Sequence, residues 1–131
     1  MRDNFDGEAP FIVGPLKFRV DVAGESFYEA SFAELCGPRT IVGIQKEATA
    51  QLRLQDDNPH DRAAVAVTID GHPVGHLSRE DARAFRRTVR YGVHSTFEAF
   101  QCAAMIVGGW DRGDGDAGHF GVKLDLALND D

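Results

Sequence analysis

Asp70-Gly71 stands between two short apolar runs, Val65, Val67 and Ile69 before it and Val74 to Leu77 after it. The first run alternates as a strand with one buried face does. Asp-Gly favours a two-residue hairpin turn because both central residues must take positive φ. Residues 65–77 are therefore expected to form an antiparallel hairpin. Such a hairpin is not stable alone and needs further strands or a helix to cover its apolar face.

The same period recurs elsewhere. Leu16, Phe18, Val20 and Val22 alternate with polar residues and predict a strand over 16–22. Segments 40–44 and 48–54 are strand-like, the second through Ala48, Ala50, Leu52 and Leu54. Residues 97–107 and 120–128 predict two more, separated by a Gly/Asp loop. Two helices interrupt this series. Ser26 with Glu29 forms a capping box ahead of Tyr28, Phe32 and Leu35, and Gly37-Pro38 stops that helix. Ser78 with Asp81 opens the second, whose stripe Ala82, Phe85 and Val89 runs on to Gly92. The predicted order is βαβββαββ, a mainly β chain with two α-helices, and short hairpin-linked strands favour a small antiparallel β-barrel. Residues 1–15 are expected to be a flexible tail, 16–128 the domain and 129–131 a short C-terminal tail.

A chain of 131 residues, 43% hydrophobic and 27% charged, suits one folded domain. No apolar run approaches the roughly 20 residues of a membrane span, and the first ten residues are acidic where a signal peptide would be basic, so a cytoplasmic protein with no membrane contact is expected. Cys36 and Cys102 form no CxxC pair and are expected to be buried, inert thiols. His60, His72, His76, His94 and His119 lack zinc spacing, and Asp111, Asp114 and Asp116 lack the spacing and closing glutamate of a calcium loop. No nucleophile elbow, catalytic cysteine signature, P-loop or dinucleotide fingerprint occurs, so no metal, no cofactor and no enzymatic activity are expected. The formal net charge of −7 argues against indiscriminate polyanion binding; any nucleic-acid site must be local.

The most specific stretch is Asn58-Pro59-His60-Asp61, followed by Ala64-Val65-Ala66-Val67, Asp70-Gly71 and Val74-Gly75-His76-Leu77. With residues 22–28 upstream, Val-Ala-Gly-Glu-Ser-Phe-Tyr, this order resembles the HIRAN domain over roughly 17–128. The resemblance implies an OB-like or SH3-like barrel that captures the 3′ end of single-stranded DNA, in DNA repair or fork processing. It implies that Asp61 receives the terminal 3′-hydroxyl. An ionised carboxylate is acceptor-only, so it accepts a hydroxyl and repels a terminal phosphate. Without the resemblance, Asp61 would more simply cap its own turn.

The same resemblance assigns base stacking to Phe27 and His60, worth about 1–3 kcal/mol per base in sites of this kind. It places Phe120 near the bound strand, although alternation could equally send that ring into the core. His76 and Arg79 match phosphate-contacting positions, with Asn58 in the turn. Ser26 stands where the family pattern has an arginine, and it is also the predicted helix cap. From spacing alone, Arg79, Arg83, Arg86 and Arg90 form one stripe of the second helix with Arg87 beside it: a local basic track or a solvated face. The competing function is a protein-interaction or adaptor module using the barrel surface, favoured by the acidic charge and by Ser26; a helicase or nuclease is a possible partner class.

Overall fold

In the computed structural model, which describes residues 9–90 and 97–128, Asp70 and Gly71 both have positive φ, 51° and 80°, and Ile69 faces His72 across the turn. This hairpin joins β4 (Val65–Ile69) to β5 (His72–Leu77). The other elements are β1 (Phe11–Ile12), β2 (Val20–Ala23), a 3₁₀ helix (Glu25–Tyr28), α1 (Glu29–Cys36), β3 (Ile44–Leu54), α2 (Arg79–Arg90), β6 (Ala99–Gly108) and β7 (Phe120–Leu124).

Around the sheet the order is β6-β3-β4-β5-β2-β7, and β7 pairs back onto β6, closing a six-stranded antiparallel barrel. The expected fold class is thus the observed one. Alternation sends Val65, Val67, Ile69, Leu52, Phe100, Val122 and Leu124 into a core that α1 covers with Phe32 and α2 with Ala82, Phe85 and Val89. Gly75 in β5 is required by closure. A Cβ there would lie 2.3 Å from the Ala23 carbonyl oxygen of β2, and its φ is 148°.

Several local expectations are corrected. The segment expected as tail contributes β1, which pairs parallel to β6, and Gln101 donates its amide to the Pro10 carbonyl at 2.9 Å. Residues 1–8 and 129–131 of the expected tails, with Gly92 and His94, lie outside the described residues. The first strand is confined to Val20–Ala23, because Leu16 and Phe18 take positive φ while the Lys17 amide is drawn to the carboxylate of buried Asp125 at 3.1 Å. Segment 40–44 is a turn, with Thr40 Oγ1 accepting from the Gly43 amide, and β3 instead runs unbroken from Ile44. Ser26 caps nothing: it lies inside the 3₁₀ helix, and neither that helix nor α1 has a side-chain cap. The second start is as expected, since Ser78 Oγ accepts from the Asp81 amide at 3.1 Å. Cys102 is buried, and burial first, then the Asp125 charge, pushes its thiol up to about 12; Cys36 is only half-buried.

Candidate nucleic-acid interface

The turn between β3 and β4 is built by its own side chains. Asn58 Oδ1 accepts the amides of His60 and Asp61 at 2.8 and 3.2 Å, while its Nδ2 donates to Gln55 Oε1 at 3.0 Å. This is the Asx-type turn that Asn followed by Pro favours. Asp61 Oδ1 accepts from the Ala63 amide at 3.0 Å. One carboxylate oxygen therefore braces the turn, as the simpler reading expected. A carboxylate offers about four lone-pair positions, so acceptor capacity remains.

Helix α2 grips the turn from one side. Arg86 donates through Nε to the Ala63 carbonyl at 2.8 Å, through Nη2 to the Ala64 carbonyl at 2.9 Å, and through Nη1 to Asp56 at 2.7 Å. Arg83 lies 3.3 Å from Asp61 Oδ1, and Arg79 Nε 3.7 Å from Oδ2. The Ala63 amide foremost, then the Arg83 and Arg79 guanidiniums, hold the Asp61 carboxyl below the usual carboxylate range. Its side chain is 15% exposed, against 76% for Arg79.

The turn meets the barrel wall on its other side. Gln55 Oε1 contacts His76 Nε2 at 3.1 Å, so a chain of contacts runs from His76 through Gln55 and Asn58 to Asp61 and Arg83. Ala23 pairs with His76, which delivers the 3₁₀ helix carrying Ser26, Phe27 and Tyr28 beside β5. A groove of about 240 Å³ opens here, lined by Tyr28, Gln51, Gln55, Thr68 and His76 among others.

Of the residues singled out from sequence, Asn58, Asp61, Arg79 and Arg83 are in direct contact, and His76 joins them through Gln55. His60 and Ser26 are exposed, and Phe27 is 85% exposed. Phe120 is not part of this set. It is buried, stacked on Phe32 at 5.1 Å with the Arg39 guanidinium over its ring, because the alternation of β7 turns it inward with Val122 and Leu124. The first turn of α2 holds Glu80 and Asp81, and Ser78 already takes one of its amides, so an anion there would meet the Arg79 side chain rather than free backbone donors.

Gln55 and Tyr28 were missed. Gln55 stands just past the alternation of β3 and carries no local signal, while Tyr28 reads as helix stripe although α1 begins one residue later.

A family model described as the HIRAN domain matches residues 16–101, well over half of the chain. The chain belongs to the HIRAN family. The HIRAN domain is a DNA-binding module of repair proteins of the helicase-like transcription factor type, a binding domain. The matched span includes the whole Asn58–Asp61 turn, His76 and α2, and ends inside β6; the rest of β6 and β7 complete the HIRAN barrel. No curated protein and no solved structure matches the chain.

Proposed function

We propose that this HIRAN domain recognises the 3′ end of single-stranded DNA through a free hydroxyl accepted by Asp61. The observation that carries this is the Asp61 carboxylate itself: ionised, braced by the Ala63 amide, partly exposed, and faced by the Arg79 and Arg83 guanidiniums. A hydroxyl supplies the donor such a group wants. A terminal phosphate brings charge of the same sign. Phe27 and His60 offer ring faces for the terminal bases, and stacking tolerates any base. Arg79, exposed beside the carboxylate, and His76 face the preceding phosphates. Arg83 orients Asp61, and the exposed Ser26 hydroxyl replaces a guanidinium with a weaker donor. The role fits DNA repair or replication-fork processing, alongside a helicase or nuclease.

The test is fluorescence anisotropy with oligonucleotides ending in 3′-hydroxyl or 3′-phosphate, and with blunt duplexes, at two salt concentrations. Asp61→Ala is expected to remove the preference for the free hydroxyl, and Arg79→Ala to weaken every substrate and flatten the salt dependence. Equal, negligible binding to all three DNAs would refute the reading.

Exposed Ile41 and Val42, on a chain of net charge −7, favour a second reading as a protein-interaction module. It predicts a stable protein partner whose binding survives Asp61→Ala and is lost with Val42→Asp.

A further inference from the structure

Residues 40–43 form a tight turn just before β3, at the opposite end of that strand from the 55–64 turn. Thr40 Oγ1 accepts from the Gly43 amide at 3.0 Å, the Thr40 amide donates to the Gly109 carbonyl at 3.2 Å, and the Asp111 amide donates to the Thr40 carbonyl at 2.9 Å. Gly43 has a φ of 78°, and a Cβ there would lie 2.7 Å from the Gly108 carbonyl oxygen, so the turn is pressed against the end of β6. Although pinned on both sides, it leaves Ile41 68% and Val42 84% exposed. Branched apolar side chains held in water on a fixed backbone suit docking, because little conformational entropy remains to be lost. The adjoining 109–118 loop adds Asp111 and Asp114, exposed and in no ion pair among the described residues, whereas Arg39 and Arg112 are paired with Glu29 and Asp116. The turn is an apolar knob with an acidic rim.

A surface hollow elsewhere has the opposite character. It measures about 440 Å³, with Val20, Leu126 and Leu128 as apolar lining and Lys17 and Arg19 beside them. Both basic side chains are exposed and, among the described residues, pair with no carboxylate; the lining includes one acid, Asp81. From Ala9 to Val20 a chain of net charge −7 carries no acid at all. Val20 pairs with Leu124 and Leu124 with Ala104, four residues along β6 from Gly108 and so about 13 Å from the knob end of that strand. A pinned knob does not reach its own hollow across that distance. A knob and a complementary hollow on different parts of one surface make a heterologous contact, which repeats from copy to copy. At physiological salt, charges farther apart than about 8 Å are largely screened, so the facing acidic and basic rims decide the contact rather than the net charge. We propose that Ile41 and Val42 of one copy dock into the Lys17–Arg19 hollow of the next, joining copies of this chain head to tail. The proposal rests on the reading of Ile41 and Val42 as a protein-binding surface, names its partner as a second copy, and does not involve Asp61.

Sedimentation velocity tests it over a concentration series reaching about 0.5 mM, where a small, transient contact is populated. The weight-average mass of the protein is expected to climb past that of a dimer. A knob variant, Ile41→Ser with Val42→Ser, and a hollow variant, Lys17→Asp with Arg19→Asp, change only exposed side chains and should keep the thermal midpoint. Each should raise the concentration needed for assembly by at least about 10-fold. Mixed in equal amounts, the two variants should form a heterodimer and nothing larger, since one supplies the intact hollow and the other the intact knob. Assembly that stops at a dimer, a knob variant that assembles like the unaltered protein, or a mixture with no heterodimer overturns the inference. A chain that stays monomeric while a protein partner still depends on Val42 overturns this inference alone; a monomeric chain with no Val42-dependent partner removes the protein-interaction reading with it.

Discussion

The 55–64 turn and the 109–118 loop each carry three aspartates, Asp56, Asp57 and Asp61 in one and Asp111, Asp114 and Asp116 in the other. By composition both are acidic, solvated connections. They differ in where their side chains find partners. In the 109–118 loop the side-chain bonds stay inside: Arg112 and the Trp110 indole both reach Asp116 at 3.4 Å, and Asp111 takes the Gly113 amide at 3.0 Å. In the 55–64 turn, Arg86 arrives from α2 to hold two backbone carbonyls, Arg83 and Arg79 face Asp61, and Gln55 reaches His76 on β5. A carboxylate becomes a poised acceptor where separate elements converge on it; three acidic residues in a loop do not suffice.

The contrast breaks most easily at Arg86. Arg86→Ala strips a charged donor from the Ala63 and Ala64 carbonyls and is expected to cost about 2 kcal/mol, read by urea unfolding. Arg112→Ala, which opens only an exposed pair within its own loop, should stay within about 0.5 kcal/mol. Equal losses would erase the distinction between the two regions.

Asn58 and Asp111 give a finer comparison. Asn58→Ala releases the His60 and Asp61 amides and is expected to cost about 1 kcal/mol, whereas Asp111→Ala leaves the unfolding midpoint nearly unchanged. If Asn58→Ala were as silent as Asp111→Ala, the turn would not be held by its side chains.

Titration sharpens it further. The folded Asp61 carboxyl lies below its unfolded value of about 3.9, so its contribution is full above that value and is lost as pH falls through the folded one. The stability difference between the protein and Asp61→Asn should therefore be flat from pH 7 to 5 and shrink only below about pH 4. A difference already shrinking between pH 7 and 5 would show that the carboxyl is not held down. The smallest expected effect is that of Arg79→Ala, whose exposed, long contact to Asp61 should leave the thermal midpoint unmoved while DNA affinity falls.

Much of this site was legible because it is local. Asn58 bonds residues two and three positions on, Ser78 caps a helix three residues later, and Asp70-Gly71 folds its own hairpin. The arginine stripe was visible as helical spacing, but its grip on the turn was not, since Arg86 meets carbonyls more than twenty residues away. Gln55 gave no sign of reaching His76, because nothing near either residue encodes the pairing. Phe27 and Phe120 show the same limit: both are phenylalanines flanked by polar or small residues on the N-terminal side, yet one is open to solvent and the other stacked on Phe32.

Taken alone, the sequence determined the strand periods, the hairpin, the capped amphipathic helix, the Asx turn and the order of motifs that marks the family, all of which depend on residues within a few positions of one another. Only the tertiary structure decided that β7 closes the barrel onto β2 and β6, that residues 11–12 join the sheet, and that the α2 arginines meet Asp61 and the backbone of the 55–64 turn. Those outcomes rest on contacts between distant segments, where core packing and strand register select the partner and no local pattern names it.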